Sequence, residues 1–186
     1  PFHMWAPDVY TGAPLPITAV SVALPAGGRA GVSAIQAGTS RAVTFGGNAS
    51  VAVPVGSQAV SDPLDFTVAP MSNLTVTMFL ATGQASQNIT SHPGSRTTSY
   101  LVTGNRLQDA DLPGATTTVH WYFLSGVEVW SGPKTAAVVL VGDSLTDGRG
   151  STNNANNRWP DLLVNRLQAA PAAKSSGRLK SAIMVR

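Results

Sequence analysis

No cysteine occurs among the 186 residues, which excludes disulfides, thiolate metal ligands and a cysteine nucleophile. Charge is scarce: Asp, Glu, Lys and Arg supply 11% of the chain, against the roughly 25% of an average domain. The net charge is +3, but no block of Lys and Arg interleaves with aromatic residues, so no nucleic-acid partner is expected. Long apolar runs are also missing. The longest, Ala136–Val141, falls far short of the roughly 18 residues of a membrane span, and no such span is expected. No group of His, Asp and Glu has metal-ligand spacing, so neither a metal nor another cofactor is anticipated. The chain opens on Pro1 without an initiator methionine or a leader, which reads as a processed protein or a fragment.

What fills the gap is Ser, Thr, Gly, Ala, Val and Pro, the composition of a β-rich, turn-rich, secreted protein. Three sequons, at Asn48, Asn73 and Asn88, agree with an extracellular location and offer glycosylation sites. From Ile17 to Trp130, "ITAVSVAL", "ASVAVPV", "LDFTV", "NLTVTMFL" and "TTTVHWYF" put an apolar residue at nearly every second position. Gly, Pro, Asn, Asp and Ser separate these runs. The pattern predicts short antiparallel strands packed as a β-sandwich over residues 17–132. Pro54 marks an edge strand or a bulge.

The pattern changes at Ser131-Gly132-Pro133. "TAAVVLVG" is a continuous apolar run, as in a parallel strand buried on both faces. A polar loop, "DGRGSTNNANN", comes next. Then "RWPDLLVNRLQAA" predicts a helix, with Pro160 in its first turn, Asp161 at its positive end, and Trp159, Leu162, Leu163 and Leu167 on one face. "SAIMV" reads as a second strand. Residues 133–186 therefore read as one β-α-β unit, too little to cover both faces of its own sheet. The fold class expected is mainly β, with the start of an α/β domain at the end.

In an open α/β sheet, functional groups gather beyond the carboxyl ends of the strands. There Gly142 would let the chain turn sharply, Ser144 would stand exposed, and an amide at or beside it would face a developing oxyanion. Asp143 and Asp147 could brace the turn. A plain Ser-Asp turn with no chemistry explains the motif alone equally well.

"VGDSLTDG" resembles the first conserved block of the GDSL or SGNH hydrolases, serine esterases of a flavodoxin-like fold. "STNNANNRWPDLLVNRLQAA" resembles the segment after that block in a subset with a preceding β-sandwich, and the likeness runs roughly from Gly12 to Val185. It implies Ser144 as nucleophile and first oxyanion donor, with Gly142, Asp143, Leu145, Thr146 and Gly148 as supporting motif residues. It also implies an ester or acetylated carbohydrate as substrate. The same family carries a glycine block, a Gly-x-Asn-Asp block and a late Asp-x-x-His. None is found here. The histidines are His3, His92 and His120, and none stands three residues after an aspartate. Gly46-Gly47-Asn48 is succeeded by Ala49 and precedes the nucleophile, so it does not serve. His92 reads as a loop residue and His120 as a strand residue. The expectation is a parent esterase and a chain that alone is close to inactive. A carbohydrate-binding β-sandwich without catalysis is the alternative.

Pro1–Thr18, "PFHMWAPDVYTGAPLPIT", resembles a segment of a membrane subunit of NADH-quinone oxidoreductase. That implies a chimeric join near residue 16, or a relation to the membrane subunit as a further alternative. Without the resemblance, residues 1–16 read as an unpaired, Pro-containing arm.

Overall fold

The computed structural model describes residues 2–6, 15–83, 89–133 and 137–170. The molecule is mainly β, with antiparallel pairing and a single α-helix among those residues. The strands, in chain order, are β1 (Phe2–Ala6), β2 (Leu15–Ile17), β3 (Ala19–Ala23), β4 (Arg41–Val43), β5 (Val51–Val53), β6 (Ala59–Val60) and β7 (Thr75–Phe79). After them come β8 (Ser91–His92), β9 (Ser99–Leu101), β10 (Thr116–Thr118), β11 (Trp121–Tyr122) and β12 (Gly126–Val129). The helix α1 spans Trp159–Ala169.

The core arises from the alternation in "LPITAVSVA". Leu15 and Ile17 of β2, Val20 and Val22 of β3, Val43 of β4, Val53 of β5, Phe45 and Phe123 form one buried cluster. Burial of each such side chain is worth about 1.5–3 kcal/mol. β3 is the organising strand. It pairs with β4 on one side (Val20 opposite Val43) and with β7 on the other (Val20 opposite Met78). β2 pairs with β5, Leu15 opposite Val53, and both strands contribute to the same core.

Several expected strands take a different form. β5 stops at Val53, just before Pro54, which has no amide hydrogen to extend a ladder. "LDFTV" contributes only an isolated bridge at Leu64. "TTTVHWYF" is two strands, not one. β10 pairs with β9 and β11 with β8, and the break falls at Val119 and His120. There the chain is tied sideways: Ser95 Oγ donates to the Val119 carbonyl at 3.2 Å, and His120 Nδ1 lies 3.0 Å from the Pro93 carbonyl. Phe123 comes next with a left-handed backbone (φ 56°), which turns its ring into the core.

The N-terminal segment is not unpaired. β1 lies between β12 and β6, antiparallel to both, with Phe2 opposite Val129 and Trp5 opposite Val60.

The largest departure concerns "TAAVVLVG". Ala137–Gly142 form no strand, and Val139 and Val141 are 70% and 84% exposed. A buried parallel strand needs neighbours on both edges and a layer on each face. No strand flanks this run among the described residues, and "SAIMV" lies outside them. The helix expected after the loop is present, with Pro160 in its first turn. Its buried residues are Pro160, Asp161 and Val164, whereas Trp159 and Leu162 are exposed. The helix thus docks along the i, i+4 row of Pro160 and Val164 rather than along its leucines.

Candidate active site

The motif segment is a run of turns from Asp143 to Gly150. Its hydrogen bonds are helix-like: Asp147 N donates to Asp143 O (3.0 Å), Gly148 N to Leu145 O (3.2 Å) and Arg149 N to Ser144 O (2.7 Å). Asp143 braces the turn from its side chain, where Oδ1 accepts the Leu145 amide at 2.9 Å. This is the role its position suggests, a short acidic side chain satisfying the amide two residues on. Ser144 stands exposed at the start of the turn, and Leu145 beside it is 64% exposed. Among the described residues the Ser144 amide has no acceptor, whereas the amides of residues 145, 147, 148 and 149 are all engaged within the turn. One unengaged amide on an exposed serine is the minimum from which an oxyanion site could be built.

Gly142 stands directly before the bend at Asp143. Its backbone is not left-handed. What it provides is room, because a Cβ at residue 142 would collide with the Oγ1 and Cβ of Thr146. Thr146 is buried at 8% exposure, folded back over Gly142. Gly148 is buried, and its carbonyl accepts the amide of Ser151 (2.9 Å) and its hydroxyl (2.6 Å).

Asp147 points away from the turn it was expected to brace. Its Oδ1 lies 2.7 Å from His92 Nε2, a residue 55 positions earlier in the chain. An ionised carboxylate only accepts, so Nε2 carries the hydrogen of this bond. His92 is not a loop residue but half of β8, opposite Trp121, and its ring packs 5.1 Å from the indole at a tilt of 59°. Sequence reasoning missed this pair. A histidine ahead of a Pro-Gly turn carries no local sign of a partner so distant in sequence.

His120 is not a strand residue but lies in the break between β10 and β11, its Nδ1 3.0 Å from the Pro93 carbonyl. Asn48 is exposed, its amide nitrogen 3.2 Å from the Gly46 carbonyl. Asn73 is half-buried and uses both ends of its amide, donating to Gly28 O and accepting from Asn156 Nδ2, each at 2.8 Å. Asn88 lies outside the described residues. Among the described residues no group of three or more His, Asp or Glu is placed to hold a metal ion, and no helix is long and apolar enough to cross a membrane. An open hollow of about 310 Å³ lies elsewhere, lined by Leu24, Thr39, Arg41, Asp65 and Phe66 among others, and no motif residue reaches it.

A serine at the head of a braced turn, with a polar loop and a helix after it, is the setting in which a likeness to a known family falls. Residues 138–183 match the model of the GDSL-like lipase/acylhydrolases. The GDSL match takes in Ser144, the loop and α1, about a quarter of the chain. A second likeness covers 25 residues, 72% identical to NADH-quinone oxidoreductase subunit N 1 of Thermodesulfovibrio yellowstonii. It takes in 13% of this chain and 6% of that protein's length.

Proposed function

We propose that the chain carries the nucleophile of a serine acylhydrolase that acts outside the cell on an ester or acetyl group. The observation that carries this reading is the GDSL match over residues 138–183, with Ser144 exposed at the head of its turn. In this reading Ser144 Oγ attacks the acyl carbonyl, the Ser144 amide donates to the oxyanion, and the alcohol departs to leave an acyl-enzyme that water hydrolyses. The β-rich part is the sandwich that precedes the hydrolase unit in the subset it resembles. Acetylated carbohydrate is the substrate class that fits this arrangement, and the sequons and the Ser- and Thr-rich composition support secretion.

Efficient attack needs a general base, and the Asp-x-x-His that supplies it in this family is not among these 186 residues. Serine hydrolases stripped of triad members retain only residual catalysis. The expected result with p-nitrophenyl acetate is slow, stoichiometric acetylation of Ser144 with negligible turnover. Intact-mass spectrometry and peptide mapping would find the adduct in the native chain and not in Ser144→Ala. Equal labelling of the two proteins overturns the nucleophile assignment. Rapid Ser144-dependent turnover overturns the claim that this chain lacks a working base.

A second reading rests on the 25-residue likeness to the oxidoreductase subunit, and relates the chain to a membrane assembly. It predicts sedimentation with membranes. Recovery of the chain in the soluble fraction without detergent would remove it.

A further inference from the structure

The loop after Ser144 is held from outside its own segment. His92 Nε2 donates to Asp147 Oδ1 at 2.7 Å. Arg96 Nε donates to the Gly148 carbonyl at 3.0 Å, and the Arg96 carbonyl accepts the Asn154 amide at 2.8 Å. The Asn154 side chain completes a reciprocal pair with Thr98, its Oδ1 accepting the Thr98 amide and its Nδ2 donating to Thr98 Oγ1, both at 2.8 Å. Asn156 reaches Asn73. Every one of these bonds crosses the Ser131-Gly132-Pro133 boundary, between the β-rich part and the segment matched to hydrolases.

Two further observations set this contact apart from chance packing. Arg96, Asn154 and Asn156 all have left-handed backbones, with φ of 55°, 63° and 46°. Such conformations are strained for non-glycine residues and persist where surrounding contacts over-determine them. All three lie in this contact. Gly94 sits against the Asp147 carboxylate so closely that a Cβ there would collide with Oδ2. The turn His92–Ser95, closed by Ser95 N to His92 O at 3.2 Å, is thus shaped around the aspartate.

We infer that His92 and Arg96 are positioning residues for Ser144: the β-rich part fixes the nucleophile's turn through Asp147 and the Gly148 carbonyl. Neither residue has a part in bond making. They act through the helix-like bonds that run from Asp147, Gly148 and Arg149 back to residues 143–145. The chemical meaning of this contact rests on the acylhydrolase reading, but its existence does not.

The test is a double-mutant cycle in the full chain with two readouts. The variants are His92→Ala, Asp147→Ala, the double variant, and His92→Gln, whose amide can replace the Nε2 donor. Hydrogen exchange reports the 143–157 loop against β3 and β7. Mass spectrometry reports the rate of Ser144 acetylation by p-nitrophenyl acetate. Each single alanine variant is expected to speed loop exchange about threefold, the scale of one partly buried hydrogen bond, with β3 and β7 unchanged. The double variant should add little to either single. His92→Gln should restore both loop protection and acetylation rate. Independent, additive effects, or loop exchange at the native rate in Asp147→Ala, overturn the proposal. If His92→Ala does not fold, Asp147→Ala and His92→Gln decide alone. Failure of Ser144 to label in the native chain sinks the hydrolase reading, and the exchange data still decide the contact.

Discussion

Asp111 shows how one side chain can hold a loop without being buried. Its carboxylate accepts the Ser33 hydroxyl and the Leu112 amide, and these bonds hold it below the ordinary value of 3.8, the Ser33 bond being the larger cause. Beside it, the Ile35 amide donates to the Ala110 carbonyl at 2.9 Å, so two loops far apart in sequence are joined. A depressed carboxylate stabilises the fold while ionised. That contribution is present above 3.8 and is lost as pH falls through the lowered folded value. Ser33→Ala should therefore melt below the native chain at about pH 6, and the gap should close in acid once the carboxyl is protonated in both proteins. Thermal melts across that range check it. A gap that is unchanged in acid would place the contribution in the neutral hydroxyl contact instead.

At the scale of the element, α1 rests on an unusual start. Its N-cap is Arg158, a residue whose side chain has no oxygen to offer the free amides of the first turn. Asp161 at the third position compensates by reaching back. Its Oδ2 accepts the Arg158 amide at 3.1 Å and Nε at 2.9 Å, and its Oδ1 accepts a terminal guanidinium nitrogen at 3.2 Å. The carboxylate is also at the positive end of the helix dipole and is only 6% exposed. Asp161→Ala should cost about 1–2 kcal/mol, the scale of a lost cap. Val164→Ala, at a fully buried site, should cost about 2 kcal/mol, and Leu162→Ala less than about 0.5 kcal/mol. Urea midpoints would rank the three. A larger loss at Leu162 than at Val164 would reverse the assignment of the buried face.

This helix also shows what the sequence could disclose. Its existence, its proline start and the acidic residue of its first turn were all legible, because caps and period are local signals. Its buried face was not, because Trp159, Leu162, Leu163 and Leu167 satisfy the same period as Pro160 and Val164, and only the docking surface chooses between them. The exposed position of Ser144 after the apolar run was legible for the same local reason, and so was the bond of the Asp143 side chain to the turn. His92, Arg96 and Asn154 were not, because their partners lie more than 50 residues away and involve a backbone carbonyl and left-handed turns. The alternation in "ITAVSVAL", "ASVAVPV" and "NLTVTMFL" disclosed β3, β5 and β7, whereas β2, most of which was assigned to the N-terminal arm, and β4 were not read as strands. It could not disclose that "TTTVHWYF" breaks in two, since the break depends on Ser95 and Pro93 from another loop.

At the scale of the whole molecule, the apolar run before Ser144 carries the unrelieved stress of the fold. Val139 and Val141 are among its most exposed side chains, and Leu145 (64%) and Trp130 (61%) lie close to them in sequence. The sequence pattern of "AAVVLV" is that of a strand covered on both faces, so local preference and tertiary environment disagree here. Exposed apolar side chains clustered in sequence favour association and bind hydrophobic dyes. The double substitution Val139→Lys and Val141→Lys should therefore lower the fluorescence of bound ANS and reduce concentration-dependent light scattering. It should leave the melting temperature within about 2 °C of the native value, since substitutions at exposed sites change stability by no more than about 0.5 kcal/mol. The core around β3 contains neither residue, so nothing in it should respond. A large drop in melting temperature would mean that the run is buried in solution, as its composition suggests. The strand reading of residues 135–142 would then be restored at the expense of the extended, solvent-facing segment that leads into Ser144.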